Sequence, residues 1–381
     1  MKLKIPALIG GAVGVVTAAA AAGLVHEHRV VEGERARIDP RTAALLGALP
    51  VDRESRVRAE DGIELHVEEV GPLDAPLTVV FVHGFGLTLG SFHFQRLALS
   101  EHFGQDVRLV LYDQRSHGRS DRSSAVGCTI EQLGRDLGAV IDSVVPNGPI
   151  VLIGHSMGGM TVMALASQRP DLFQRRLASA PQARIGSVGL INTSSGDLKT
   201  VTLGLPSFVA RIRGPVLPVI LRRAARSADL VERGRALGKD LAWVLTKRLS
   251  FGSEVDPAVV AYCTNMIAAT RVDVFAEFYP TLMAHDGTLG LMNLVDCSVL
   301  VLAADHDALT PLAHAETIAA ALPFAELIVV ADAGHLLMLE HPDEVDRPVL
   351  GLVGDALSAA AGSPSRIGRT VRRRSRRAVA R

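Results

Sequence analysis

The sequence predicts an α/β fold: a mostly parallel sheet with helices on both faces. Three observations point there. Short, continuous apolar runs rich in β-branched residues recur along the chain, as strands buried on both faces require. Stretches with helical spacing separate those runs, which makes successive strands parallel. One long interruption, residues 195–293, breaks the alternation and is helical in pattern, as an insertion between two core strands would be.

The elements follow in order. Residues 56–59 and 63–70 flank Asp61-Gly62, a strong hairpin turn signal. Residues 77–82 form a buried-strand run that ends in His83-Gly84-Phe85-Gly86. A second such run, 108–112, leads into Asp113-Gln114-Arg115-Ser116-His117-Gly118-Arg119-Ser120. Residues 129–145 place Ile130, Leu133, Leu137, Val140, Ile141 and Val144 on one helical face. The run 149–153 is followed directly by Gly154-His155-Ser156-Met157-Gly158-Gly159, and further strands are expected at 188–192, 298–303 and 327–331. The expected organisation is an apolar segment at 1–25, a polar linker at 26–54 with a short helix near 42–49, a core split into 55–194 and 294–362, a helical cap at 195–293, and a basic tail at 363–381.

Composition narrows the function. With 48% hydrophobic and 21% charged residues the chain is globular rather than disordered. Three cysteines in 381 residues exclude a disulfide scaffold, and their spacing (Cys128, Cys263, Cys297) suggests no metal site. Only 4% aromatics, and no basic run ahead of the C-terminus, argue against a nucleic-acid binder. Forty basic residues balance forty acidic ones, but residues 366–381 hold eight Arg and no acid. Setting those eight and Lys2 and Lys4 aside leaves 30 basic against 40 acidic residues, so the body is acidic.

Residues 5–25 carry no charge and would span roughly 31 Å as a helix, close to the ~30 Å of a bilayer core. With Lys2 and Lys4 ahead of it, the run predicts a single-pass anchor in the cell membrane with the body on the outer side; signal cleavage and secretion is the alternative. The tail is either a solvated end or a contact for anionic lipid or a phosphate-bearing polymer. His26 and His28 read as bystanders in the linker.

The chemistry resides in three motifs. Gly154-His155-Ser156-Met157-Gly158 fits G-x-S-x-G between a buried strand and a helix, a sharp turn that lifts a serine hydroxyl clear of the sheet. Serine needs a base, and in this architecture the acid and the base follow the nucleophile along the chain. Asp305 and Asp307 lie after one downstream strand, and His335, in Ala333-Gly334-His335, lies after the last. All stand at strand C-terminal ends, where a ligand crevice is expected. An oxyanion hole needs two donors; the backbone N–H of Met157 is one.

With these motifs the chain resembles the α/β-hydrolase superfamily over about residues 56–353. The resemblance implies an eight-stranded sheet with a helical cap and no cofactor. The family pattern G-x-x-D-x-x-x-P matches Ala304, Asp307 and Pro311, with Ala in place of Gly, and selects Asp307 over Asp305 as the acid. It makes His335 the catalytic histidine, His155 a packing residue, and His341 in Leu339-Glu340-His341-Pro342 structural; His306 reads as solvent-facing. It puts the second oxyanion donor on Phe85, with His83 orienting that loop. Asp113–Ser120 resembles D-x-R-G-x-G-x-S, with Ser116 where Gly is frequent, and is taken as structural.

Serine at the elbow, rather than the Asp of epoxide hydrolases or the Cys of dienelactone hydrolases, implies acyl chemistry through a Ser156-His335-Asp307 triad on carboxylic esters, including lipid esters. Leu203, Leu205, Phe208, Val209, Phe275 and Phe278 are candidates for an apolar acyl site. Alternatives on the same triad are haloperoxidase-like perhydrolysis and peptidase or acyltransferase activity. A binding or scaffold protein on a hydrolase fold is the non-enzymatic alternative.

Overall fold

The structure, a computed structural model, describes residues 28–174, 184–201 and 235–362. The apolar run 5–25, the candidate acyl-site residues Leu203, Leu205, Phe208 and Val209, and the basic tail 363–381 lie outside the described residues.

All eight segments expected as strands are strands: β1 (Arg53–Arg58), β2 (Glu64–Val70), β3 (Leu77–Val82), β4 (Val107–Tyr112), β5 (Ile150–His155), β6 (Ile185–Ile191), β7 (Ser298–Ala304) and β8 (Glu326–Val330). They form one sheet in the order β1-β2-β4-β3-β5-β6-β7-β8. The β1–β2 hairpin is antiparallel and turns at Gly62 with φ +87°. From β4 to β8 every pairing is parallel. β6 starts earlier than the sequence pattern suggests, because Gly186 and Ser187 interrupt its apolar run.

Side-chain alternation feeds two cores. Val79 and Phe81 of β3 join Leu109, Leu111 and Ile153 on one face, under Leu99 and Val349. Val80 and Val82 join Val110, Leu137, Ile141, Val162 and Leu165 on the other. Full burial of each such side chain contributes about 1.5–3 kcal/mol, so a strand that fills both cores is held in register from both sides.

The helices are α1 (residues 28–35), α2 (Pro40–Leu45), α3 (His93–Phe103), α4 (Ile130–Val144), α5 (Met157–Gln168), α6 (Arg235–Ser250), α7 (Pro257–Ala269), α8 (Val272–Ala284), α9 (Thr288–Asn293), α10 (Leu312–Ala321), α11 (Leu337–Glu340) and α12 (Pro342–Ala360). In α4, Thr129 caps the N-terminus by accepting from the Gln132 amide, and Ile130, Leu133, Leu137, Val140 and Ile141 are buried, the stripe the sequence predicts. Helices α6 to α9 lie between β6 and β7, within the expected insertion. Leu291 of α9 packs into the core beside Met163 and Leu165, so the end of the insertion rests on the sheet layer.

The segment expected as a polar linker is docked over its described part. Glu34 accepts from the Trp243 indole at 2.7 Å and from the Lys247 ammonium at 2.8 Å. Asp240 pairs with His28 at 2.6 Å and with Arg35 at 2.8 Å. Thr42 donates to Asp256 at 3.1 Å. Val31 and Leu46 are buried in the same cluster as Trp243 and Phe251. Charges that look solvated in the sequence meet complementary charges on α6, and His28 is a partner of Asp240 rather than a bystander.

Candidate active site

Because β3 to β8 are parallel, the loops after β3, β5, β7 and β8 emerge at one edge of the sheet. The loop after β5 is the sharp turn. Ser156 has φ 52° and ψ −119°, a conformation that side chains adopt only under strain. The turn is closed by contact: a Cβ on Gly158 would lie 1.9 Å from the Val82 carbonyl oxygen. The Ser156 amide donates to Ile191 O at 3.0 Å and its carbonyl accepts from Thr193 Oγ1 at 2.6 Å, so neighbouring β6 fixes the turn. Helix α5 begins at Met157, and the unpaired N–H groups of its first turn give this end partial positive charge.

Two loops bring the carboxylate and the imidazole together. Asp307, beyond β7, accepts from His335 Nδ1 through Oδ2 at 2.8 Å. The same carboxylate accepts from the amides of Leu309 (2.7 Å) and Thr310 (2.9 Å) and from the Thr310 hydroxyl (2.8 Å). Burial opposes ionisation of Asp307, but the neighbouring His335 imidazole and these hydrogen bonds outweigh it and hold the carboxyl below its ordinary value. Asp305 does not reach His335; it accepts from the Ala333 amide at 3.2 Å and lies 3.7 Å from the exposed His306 ring. Ser156, Asp307 and His335 are all buried.

The His335 carbonyl accepts from His155 Nε2 at 2.9 Å and from Asn192 Nδ2 at 3.0 Å. His155 therefore packs beneath the imidazole loop. Burial, then the neighbouring His335, push its pKa down to about 3, so it stays neutral. His83 accepts from the Gln114 amide at Nε2 (2.9 Å) and donates from Nδ1 to Gly84 O (2.8 Å), which ties the loop bearing Phe85 to the end of β4. Burial lowers its pKa to about 4.

The Asp113 segment is built for shape. Asp113 accepts from the amides of Leu89 and Arg119, and Ser116 sits at φ 66°, the left-handed conformation for which a glycine would suffice. Arg115 is fully buried and forks onto Asp136 at 2.6 and 2.7 Å. Ser253 and Asp332 flank His341 at the start of α12.

Ser156 and His335 open into a cavity of about 220 Å³ whose walls are mostly apolar. Met160, Leu198, Val201, Ile267, Leu282 and Met283 line it, with Tyr279 the polar side chain contributed by α8. Phe275 and Phe278, expected as lining, pack instead against the Phe85 ring at centroid distances of 4.9 and 5.9 Å. The cavity-lining residues of α5, α7 and α8 carry no sequence mark that separates them from ordinary core, because a helical apolar stripe does not say which cavity it faces.

A buried carboxylate, an imidazole and a strained serine at one sheet edge beside a helix N-terminus are the components of nucleophilic catalysis. The family model described as "Alpha/beta hydrolase family" matches residues 79–347. The mouse sn-1-specific diacylglycerol lipase ABHD11 is 37% identical over 103 residues, which cover 27% of this chain and 32% of the lipase. RutD of Variovorax paradoxus, named as a candidate carbamate hydrolase, is 26% identical over 79% of this chain and 99% of its own length. A thermophilic esterase from Thermogutta terrifontis superposes with a TM-score of 0.59 at 25% identity, covering 80% of this chain and 99% of the esterase. The eight-stranded sheet, its strand order and the extent of the family match place the chain in one family: it belongs to the α/β hydrolases.

Proposed function

We propose that this protein is a serine esterase that cleaves carboxylic esters bearing an apolar acyl group. The observation that carries the reading is the 2.8 Å hydrogen bond between Asp307 and His335 at the sheet edge that also bears Ser156, beside an apolar cavity. With Nδ1 committed to Asp307, His335 has Nε2 free for a proton. Ser156 Oγ attacks the acyl carbon and its proton passes to Nε2, while the amides of Met157 and Phe85 receive the developing oxyanion. Collapse expels the alcohol, which takes that proton, and leaves an acyl-Ser156 ester. Water then loses a proton to His335, attacks the acyl carbon and releases the acid, and the proton returns to Ser156. Asp307 keeps the imidazole in the required tautomer and stabilises its charged form.

The apolar walls favour an acyl chain, and the lipase and esterase relatives are named for ester chemistry. Residues 195–293 act as the cap of this site, since Leu198, Val201, Ile267, Tyr279, Leu282 and Met283 come from them. Hydrolysis of p-nitrophenyl acetate, butyrate, octanoate and palmitate tests the reading. The expected result is a kcat/KM that rises from acetate to a longer chain and vanishes in Ser156→Ala. Activity confined to acetate contradicts an apolar acyl site; peptide cleavage or peroxide-dependent halogenation without ester turnover would move the assignment to those chemistries.

Residues 5–25 anchor the enzyme in a membrane with its body outside, a reading that rests on the charge-free run. Among the described residues no helix is long and apolar enough to cross a membrane. Trypsin added to intact cells should remove the body, whereas resistance until lysis would contradict the outward orientation.

A further inference from the structure

The loop that carries His335 is held from above by one carboxylate. Glu340, five residues on at the end of α11, has no exposed side-chain surface. Its Oε1 accepts from the Gly252 amide at 2.9 Å, the Ser253 amide at 2.6 Å and the Ser253 hydroxyl at 2.7 Å. Its Oε2 accepts from the Gly334 amide at 2.6 Å, the residue before His335. A fifth tie runs between the same two segments, from the Leu336 amide to Ser250 O at 2.8 Å. The segments touch backbone to backbone: a Cβ on Gly334 would lie 2.5 Å from the Phe251 carbonyl carbon, and one on Gly252 2.5 Å from that of Ala333.

Four donors on two oxygens match a carboxylate, which accepts on both sides. Residues 250–253 are the exit from α6, the helix on which α1 docks through Glu34 and Asp240, and Ser250 itself lines the cavity. The imidazole is therefore positioned from two directions. Asn192 and His155 hold its carbonyl from the sheet, and Glu340 ties the preceding amide to Gly252 and Ser253 of the insertion.

We infer that Glu340 is a positioning residue for His335: its carboxylate clamps the Gly334 amide to the Gly252–Ser253 turn and so sets the imidazole against Asp307 and Ser156, making the seating of the α6 exit a condition of catalytic geometry. The inference rests on the esterase reading. Glu340 contacts no substrate and acts through the loop.

The test compares the full chain with Glu340→Gln, Glu340→Asp and Ser253→Ala, using p-nitrophenyl butyrate turnover normalised to active sites titrated by a fluorophosphonate. The glutamine is isosteric but turns an N–H toward a donor. A displacement of about 1 Å at a catalytic group can cost on the order of 100-fold, so kcat per titrated site should fall roughly 10- to 100-fold while KM stays within about twofold. A His335 drawn away from Asp307 also loses its hydrogen-bond partner, so the acid limb of the kcat/KM profile should move relative to the wild type. Aspartate, which keeps both acceptors, should recover part of the loss, and Ser253→Ala should cost only a few-fold because one of four donors goes. Loss that disappears on normalisation to titrated sites, with the acid limb unmoved, would overturn the inference in favour of bulk stability. If the glutamine variant does not fold, the aspartate and Ser253 variants decide: wild-type kcat and pH profile in both overturn it. A wild-type chain that takes no fluorophosphonate would instead sink the esterase reading itself.

Discussion

At the sheet edge three histidines, His83, His117 and His155, are buried, and burial holds them neutral with pKa values of about 4, 3 and 3. At the docked N-terminal segment, His28 is 47% exposed at its side chain, and its hydrogen bond to Asp240, then the charge of Glu32, raise its pKa. The edge is built from fixed backbone contacts and dry hydrogen bonds, such as the Gln114 amide on His83 and the four donors on Asp307. The N-terminal segment is built from ion pairs that water can reach. Preorganised catalytic geometry needs the first kind of construction; the second is weaker and depends on salt. The exit from α6 joins the two regions through Glu340.

The largest expected effect attacks the edge. Asp307→Asn keeps the shape but lets the wrong imidazole tautomer form, and kcat should fall by on the order of 10³–10⁴-fold with little change in Tm. Steady-state kinetics on p-nitrophenyl butyrate checks it; a loss below tenfold would show that Asp307 does not orient the base.

Acid separates the regions next. In the unfolded chain a histidine titrates near 6.5. Below that pH the unfolded chain binds protons that the buried rings refuse, so stability falls as pH drops from about 6.5 toward 4, by roughly 1.4 kcal/mol per pH unit for each such histidine. His28 runs the other way. Its pKa is raised on folding, so its contribution is full below about 6.5 and is lost as pH rises through its folded value. Thermal unfolding from pH 7.5 to 5 should show a steep net loss dominated by the buried rings, and a flat Tm would contradict their neutrality.

The smallest effect belongs to the docked segment. Glu34→Gln should cost at most about 1 kcal/mol. Trp243, the sole tryptophan of the chain, donates to Glu34, so its emission should shift to the red as the contact loosens. High salt should reproduce part of that shift in the wild type. Unchanged emission in the variant would mean that α1 is held by Val31 and Leu46 burial rather than by its charges.

The same contrast explains what could be read from the sequence. The hairpin at Asp61-Gly62, the strand runs and the elbow around Ser156 are local, and each is encoded by residues within a few positions of one another. Asp307 was separable from Asp305 because the family pattern counts from Pro311, and the structure puts Asp307 at His335. The left-handed backbone at Ser116 was hidden by its serine but marked by the glycine common there. The docking of 28–46 was not legible. Its partners are some 200 residues away, as Glu34 and Trp243 are, and an ion pair over that separation leaves no periodic trace. The cavity walls were missed for a related reason: Phe275 and Phe278 look as apolar as Met283 and Leu282, and only packing assigns them to Phe85 and to the cavity respectively.

The central claim is that Ser156 is a nucleophile activated by His335. The most direct measurement is fluorophosphonate labelling of the full chain with the adduct located by peptide mass spectrometry. A single adduct on Ser156 is expected in the wild type, none in Ser156→Ala, and labelling slowed by several orders of magnitude in His335→Ala. An adduct on another residue, or equal labelling of the wild type and His335→Ala, would contradict it.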